Sequence, residues 1–290
     1  MAANISIIVD GVETPLSTIG RLKGHEGWGM APIRRLSEAG PLQDGSTDRG
    51  YRLDPRIGKF VFKLDETELE DMYVQRAAIQ NYFLPISTLQ VKFVVGLITK
   101  VIDCKTMDLD LPWDVEKWAA QNFVVSLRCN DPTFYDPVGK SKVFVIGGGG
   151  NMMEVPTVIP MTVGASTIDV YETITILGNY KTYPHIRITG PITDPVITHM
   201  RLIKKLDFTG ITIAAGNYYD IDLRYGYKTI VDSTGVNKLS ELTADSDLTT
   251  FYLAAHPELS HGINPIHVTG TACTLATGVE FTWFDHFTGI

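Results

Sequence analysis

Asp220 and Asp222 are two carboxylates on one face of one strand, in the run YYDIDLRYGYKTIVD (218–232). Residues two apart on a strand lie roughly 6–7 Å apart between Cα atoms. Carboxylates at that spacing suit acid/base hydrolysis of a glycoside or calcium binding, and a solvated strand face is the plainer use of them. Six histidines, His185, His199, His256, His261, His267 and His286, lie in the second half. Pro257 separates His256 from His261, so no helix face carries the two together, and no spacing predicts a metal site. Gly147 to Gly150 follow the apolar run KVFVI, but no Gly-Lys-Ser/Thr comes next and no helix pattern follows. That excludes a P-loop and a dinucleotide fingerprint and leaves a linker or turn. No GxSxG elbow is present. The chemistry-bearing residues therefore predict no catalytic centre, no metal and no cofactor.

Cys104, Cys129 and Cys273 are odd in number, far apart and without a CxxC spacing. They read as reduced, buried thiols of a protein folded in a cytosol. A net charge of -8 argues against a general binder of nucleic acid or acidic membrane, which needs positive surface. Hydrophobic residues make 44% and charged residues 20%, enough for packed cores. The N-terminal MAANISIIVDGVETP has no basic region, and Asp10 interrupts its apolar run, so no signal peptide is read there. No window approaches the about 20 apolar residues of a membrane span.

Period-two patterning dominates the chain. Ile5, Ile7 and Val9 predict a strand, Asp10-Gly11 a turn, and the next residues a short return. Residues 20–52, rich in Gly and charge, read as a long loop, a kind of segment that usually carries a contact or a function. Trp28 inside it is either a contact anchor or a residue folded back on the core. RIGKFVFKL (56–64) reads as a strand with Ile57, Phe60 and Phe62 apolar. Asp65 and Glu68 resemble a capping box. Leu69, Met72, Tyr73, Ala77, Ile79 and Phe83 then give one apolar helix face, stopped by Pro85.

LQVKFVVGLITKVIDC and NFVVSLRCNDP are further strands, with Trp113 and Trp118 between them. After 150, short β-branched or aromatic runs, including VPTVIPMTVGAS and TTFYLAA, predict a sandwich or jelly-roll domain. The fold class is mainly β with one major helix, in two domains, 1–146 and 147–290. Aromatics crowd the last 75 or so residues. Tyr218, Tyr225 and Trp283 are the candidates for stacking a sugar if they are exposed; core packing is the other reading, since aromatics favour strands.

Several phrases, in order, resemble the siphophage-type distal tail protein (Dit) of phage tail tips and baseplates. In the first half they are DRGYRLDPRIGKFVFKL (48–64), the helix LEDMYVQRAAIQNYFLP (69–85) and CNDPTFYDP (129–137). In the second they are HIRITGPITDPVI (185–197), the hairpin 216–232, GINPIHVTG (262–270) and VEFTWFDHFTGI (279–290). The chain departs from the pattern at Pro257, which precedes its usual place beside Gly262, and segment 20–50 is longer than the family's. The resemblance implies an α+β N-terminal domain forming a six-fold ring that continues the tail tube, and a C-terminal galectin-like β-sandwich outside it. It implies a structural protein of the virion tail tip, not an enzyme, folded and assembled in the bacterial host cytoplasm. Its partners would be itself, the tail tube protein, the hub or tail-associated protein, and receptor-binding proteins or fibres. DNA would only pass through the lumen, whose lining would be acidic and neutral. Trp28, Arg34, Arg35 and Arg49 are then the candidates for inter-subunit or partner contact. A carbohydrate-binding module and a glycosidase remain the alternatives.

Overall fold

The computed structural model describes residues 4–41, 44–65, 68–112, 120–145, 166–224 and 226–290. The chain separates into two compact units, Met1–Pro137 with Phe287–Ile290, and Val138–His286. The border expected at 146/147 is corrected by one strand. Lys140–Val145 pairs along its length with Gly278–Trp283 and so belongs to the second unit. The glycine run 147–150, the expected strand at 155–166 up to 165, Trp113, Trp118 and Tyr225 lie outside the described residues.

The first unit contains β1 (Asn4–Val9), β2 (Val12–Pro15), α1 (Leu16–Ile19), β3 (Arg21–Glu26), β4 (Ile33–Glu38), β5 (Thr47–Leu53) and β6 (Arg56–Asp65). It continues with α2 (Leu69–Tyr82), β7 (Leu89–Val95), β8 (Ile98–Asp110), β9 (Ala120–Cys129) and β10 (Phe134–Tyr135). Seven strands run in the order β2-β1-β7-β8-β9-β6-β3. The β1–β2 turn has positive φ at both Asp10 (49°) and Gly11 (86°), the geometry that Asp-Gly favours in tight hairpins. β8 serves two neighbours. Ile98 to Cys104 pair with β7, and Lys105 to Asp110 pair with β9. This change of partner lets β1 and β7 share one core with β6 and β9, built on Ile7, Val91, Phe60, Phe62, Phe123 and Leu127.

The parity of β6 decides much of this unit. Phe60, Phe62 and Leu64 are buried, so Arg56 and Gly58 must point inward too. Ile57, expected in the core, faces solvent because it is out of phase with the phenylalanines. The helix forms as expected, but two details differ. Asp65 is the last residue of β6, paired to Ala120 and bonded to Lys63, so no capping box forms. Glu68 holds the N-cap position without a side-chain bond, while Glu70 and Asp71 in the first turn complement the helix dipole. The buried stripe is also narrower than the sequence suggests: Met72, Ile79 and Phe83 are buried, whereas Leu69 and Tyr73 are exposed.

The expected loop at 20–52 is strand. β3 pairs with β6, and β4 pairs with β5 as a separate two-stranded ribbon. Both faces of the ribbon are solvated, so its sequence lacks the apolar alternation that marks a half-buried strand.

The second unit contains β11 (Lys140–Val145), β12 (Ser166–Thr175), β13 (His185–Thr189), β14 (Ile192–His199), β15 (Lys204–Asp207) and β16 (Thr212–Ile213). It ends with β17 (Tyr218–Asp222), β18 (Thr229–Asp232), β19 (Ile263–Cys273) and β20 (Gly278–Trp283). One sheet runs β11-β20-β13-β17-β18, the other β12-β19-β14-β15 with β16 beside β14. Ile186, Ile221 and Phe281 from one sheet and Ile197, Ile266 and Val268 from the other share a single core. The hairpin read at 218–232 is present, with Ile221 opposite Ile230. TTFYLAA is not a strand; Leu253 makes one isolated bridge to Thr182.

Candidate partner-contact site

The β4–β5 ribbon stands on a fixed base. Trp28 is 3% exposed and stacks on Phe60 at 4.9 Å between ring centroids. Gly58 makes room for it: a Cβ there would meet the indole at 2.2 Å. Trp28 therefore belongs to the core, and its reading as a surface contact is corrected. Arg56, 1% exposed, closes the base. Its guanidinium donates to the carbonyls of Pro132 (3.1 Å), Gly27 (3.3 Å), Gly29 (2.6 Å) and Thr288 (2.8 Å). It lies over the Phe134 ring at 4.6 Å. Among the described residues no carboxylate pairs with it. Sequence reasoning missed Arg56; the signal was its parity with Phe60 and Phe62.

Above this base the ribbon is open. Every residue of β4 is exposed, and the side chains of Arg34, Arg35 and Arg49 are 59%, 69% and 63% exposed. Arg35 reaches Asp48 at 3.4 Å, Arg49 reaches Glu38 at 3.0 Å, and Arg34 and Arg52 reach Asp54 at 4.0 and 3.1 Å. Residues 33–54 carry four arginines and four acids (Glu38, Asp44, Asp48, Asp54), so the ribbon is neutral overall. Ile33, Leu36 and Tyr51 are exposed beside these pairs. A shallow groove of about 480 Å³ runs between Arg34, Arg35, Leu36, Glu38, Arg49 and Arg52. Balanced ion pairs beside apolar side chains suit a protein partner; a polyanion would need unbalanced positive charge.

The residues considered for catalysis and sugar stacking are placed otherwise. Arg187 donates to both oxygens of Asp220, at 2.7 and 2.9 Å. Arg224 does the same for Asp222, its Nη2 at 2.7 Å. Burial acts to raise the Asp222 pKa, but the bonds and charge of Arg224 outweigh it and hold the carboxyl below its usual range. That direction opposes a general acid, which needs a raised pKa. Trp283 is 7% exposed within the second core, which corrects its reading as a glycan contact. Tyr218 is half-buried, with the Arg187 guanidinium 4.4 Å from its ring centre. His199 is buried against Asn264, and burial lowers its pKa. Among the described residues no three His, Cys, Asp or Glu side chains gather to hold a metal.

No family model and no curated protein matches the sequence. Solved structures do match the backbone. The Dit protein of phage SPP1 aligns over 98% of this chain and 99% of its own, with a TM-score of 0.67 and 11% identity. The chain has the fold of SPP1 Dit. That protein is described as a paradigm of the hub adsorption apparatus in phages infecting Gram-positive bacteria. A chain of the phage P2 baseplate, in its activated conformation with Ca, aligns over the full length of both at a TM-score of 0.50 and 10% identity. The likeness to distal tail proteins drawn from the order of the sequence phrases is therefore borne out in the fold.

Proposed function

We propose that this chain is a structural adaptor of a long-tailed phage tail tip. In this reading its first unit forms a hexameric ring that continues the tail tube, and the ring anchors the hub and the receptor-binding proteins or fibres. The second unit is a galectin-like sandwich on the outside, and DNA passes through the lumen without being held. The protein is a scaffold, not an enzyme.

The observation that carries the proposal is the β4–β5 ribbon. A two-stranded hairpin alone is at best marginally stable in water. This one joins no third strand among the described residues, exposes Ile33, Leu36 and Tyr51, and grows from a base fixed by Trp28 and Arg56. An arm of this kind suits a heterologous contact, in which one face of a subunit meets a different face of the next and the rotation closes a ring. The fold shared with SPP1 Dit supports the same reading. Among the described residues the carbohydrate-binding alternative loses Trp283 to the core and keeps a half-buried Tyr218.

Native mass measurement on the full chain tests the proposal. The expected result is a six-subunit species, with R35E/Y51S shifting it to monomer while the circular dichroism of the folded chain is kept. A chain that stays monomeric at high concentration overturns the ring.

A further inference from the structure

Cys104 and Cys129 are brought together by strand register alone. Lys105 stands opposite Arg128 in the β8–β9 ladder, so the next row sets Cys104 opposite Cys129. The row lies where β8 leaves β7 and takes β9 as its neighbour. Both side chains enter the core of the first unit, 4% and 0% exposed. Their Sγ atoms are 2.9 Å apart, inside the roughly 3.5–4.0 Å of ordinary heavy-atom contact. Directly opposed antiparallel residues have Cα atoms about 4.5–5.5 Å apart, within the about 4.4–6.8 Å that a disulfide spans. Strand register and the sulfur contact together place the pair for the bond.

We propose that Cys104 and Cys129 are a redox pair that closes a cross-strand disulfide when the protein meets a low-molecular-weight disulfide oxidant. The thiolate of one cysteine attacks a sulfur of oxidised glutathione and expels one glutathione thiolate. The thiolate of the second cysteine attacks the mixed disulfide and expels the other. One S–S bond forms in the protein and one breaks in the oxidant. The two cysteine protons end on the two glutathione thiols, and two electrons pass from protein to oxidant. In the closed fold burial pushes the Cys104 thiol well up, which keeps it protonated and slow to react. Exchange therefore proceeds during folding or through opening of the β8–β9 end. The bond would tie the strand that changes partner to its new neighbour, across 25 residues of sequence, and so restrict the unfolded chain. Cys273, buried in the second unit, keeps its thiol. This inference rests on the strands of the first unit and is independent of the tail-tip reading.

The test approaches equilibrium from both sides. The reduced, unfolded full chain is refolded in buffers running from reduced to oxidised glutathione, and the folded reduced chain is held in the same series. Samples are acid-quenched, alkylated in denaturant, and read by intact mass and peptide mapping. At the oxidised end titratable thiols should fall from three to one. The intact mass should show one alkyl group in place of three, with the Cys104 and Cys129 peptides linked, and dithiothreitol added before alkylation should reverse both changes. The oxidised form should melt at a higher temperature than the reduced form. Three thiols remaining at the oxidised end after refolding, glutathione adducts in place of a link, or a link through Cys273 would each overturn the proposal.

Discussion

Among the described residues, Arg56 is a buried cation whose hydrogen bonds all go to backbone oxygen. From its own strand it binds three separate stretches at once: the Gly27–Gly29 turn, Pro132 and Thr288. Hydrogen bonds from a charged donor are stronger than neutral ones, and each part-buried carbonyl left without its donor costs part of its desolvation. R56M should therefore lower stability by about 2–4 kcal/mol, after the relief of burying no charge is counted. A urea titration followed by circular dichroism measures this, and no loss would show that the carbonyls find water instead. Lys228 is the opposite case. Its amine faces the Tyr183 ring at 4.1 Å and has no hydrogen-bond partner among the described residues. Burial pulls its pKa down to about 8, with Asp222 opposing. From about 8 up to the usual lysine value the unfolded chain holds more protons than the folded one, so stability rises with pH through that window. Below it the full cost of the buried charge is present. K228M should stabilise the chain by about 1 kcal/mol near neutral pH, allowing for solvent screening. The gain should vanish above the usual lysine pKa, as melting temperatures across the pH range would show.

At the scale of elements, β6 shows how a strand transmits its phase. Phe60, Phe62 and Leu64 fix which face is inside, and the same parity carries Gly58 and Arg56 inward. G58A places a Cβ against Trp28, whose ring is held by Phe60, Phe93 and Phe134. The indole cannot yield without disturbing those rings, so the substitution should cost about 1–3 kcal/mol. Near-UV circular dichroism should change with it; an unchanged spectrum and midpoint would mean that the ring has room to move. The strand at 56–65 was legible, yet Ile57 looked like core because it is apolar. Only pairing to β9 on one side and β3 on the other sets the phase against the core. The β4–β5 ribbon was illegible for a related reason, since a strand with two wet faces has no period-two signal.

For the molecule as a whole, carboxylates held below their usual range are, among the described residues, concentrated in the second unit. Asp207, Asp222, Asp232, Glu241, Asp245 and Asp247 are there, against Asp10 and Glu13 in the first. In Asp207, Asp222, Glu241 and Asp247 burial works the other way and is outweighed by hydrogen bonds and lysine or arginine charge. Asp232 is held mainly by the Thr234 hydroxyl and Asp245 mainly by Lys205. A lowered carboxyl pKa adds stability above the unfolded pKa, and that stability is lost as pH falls through the folded value. Each unit has its own core. Calorimetry from about pH 6 to about pH 3, around the usual carboxyl range, should then show the second unit's transition falling faster than the first's. Equal shifts would show that the pairs contribute little in solution.

The sequence by itself determined what depends on near neighbours. Asp10-Gly11 fixed a tight turn, Pro85 limited a helix that ends at Tyr82, and the alternation of Ile221 and Leu223 placed a strand with one buried face. The order of such phrases carried the likeness to distal tail proteins. Tertiary structure alone decided that Arg56 and Trp28 lie inside and that Arg34, Arg35 and Arg49 stand on an exposed arm. It also decided that Cys104 faces Cys129. Those placements follow from long-range register, and register is set by which strand lies next to which across tens to hundreds of residues.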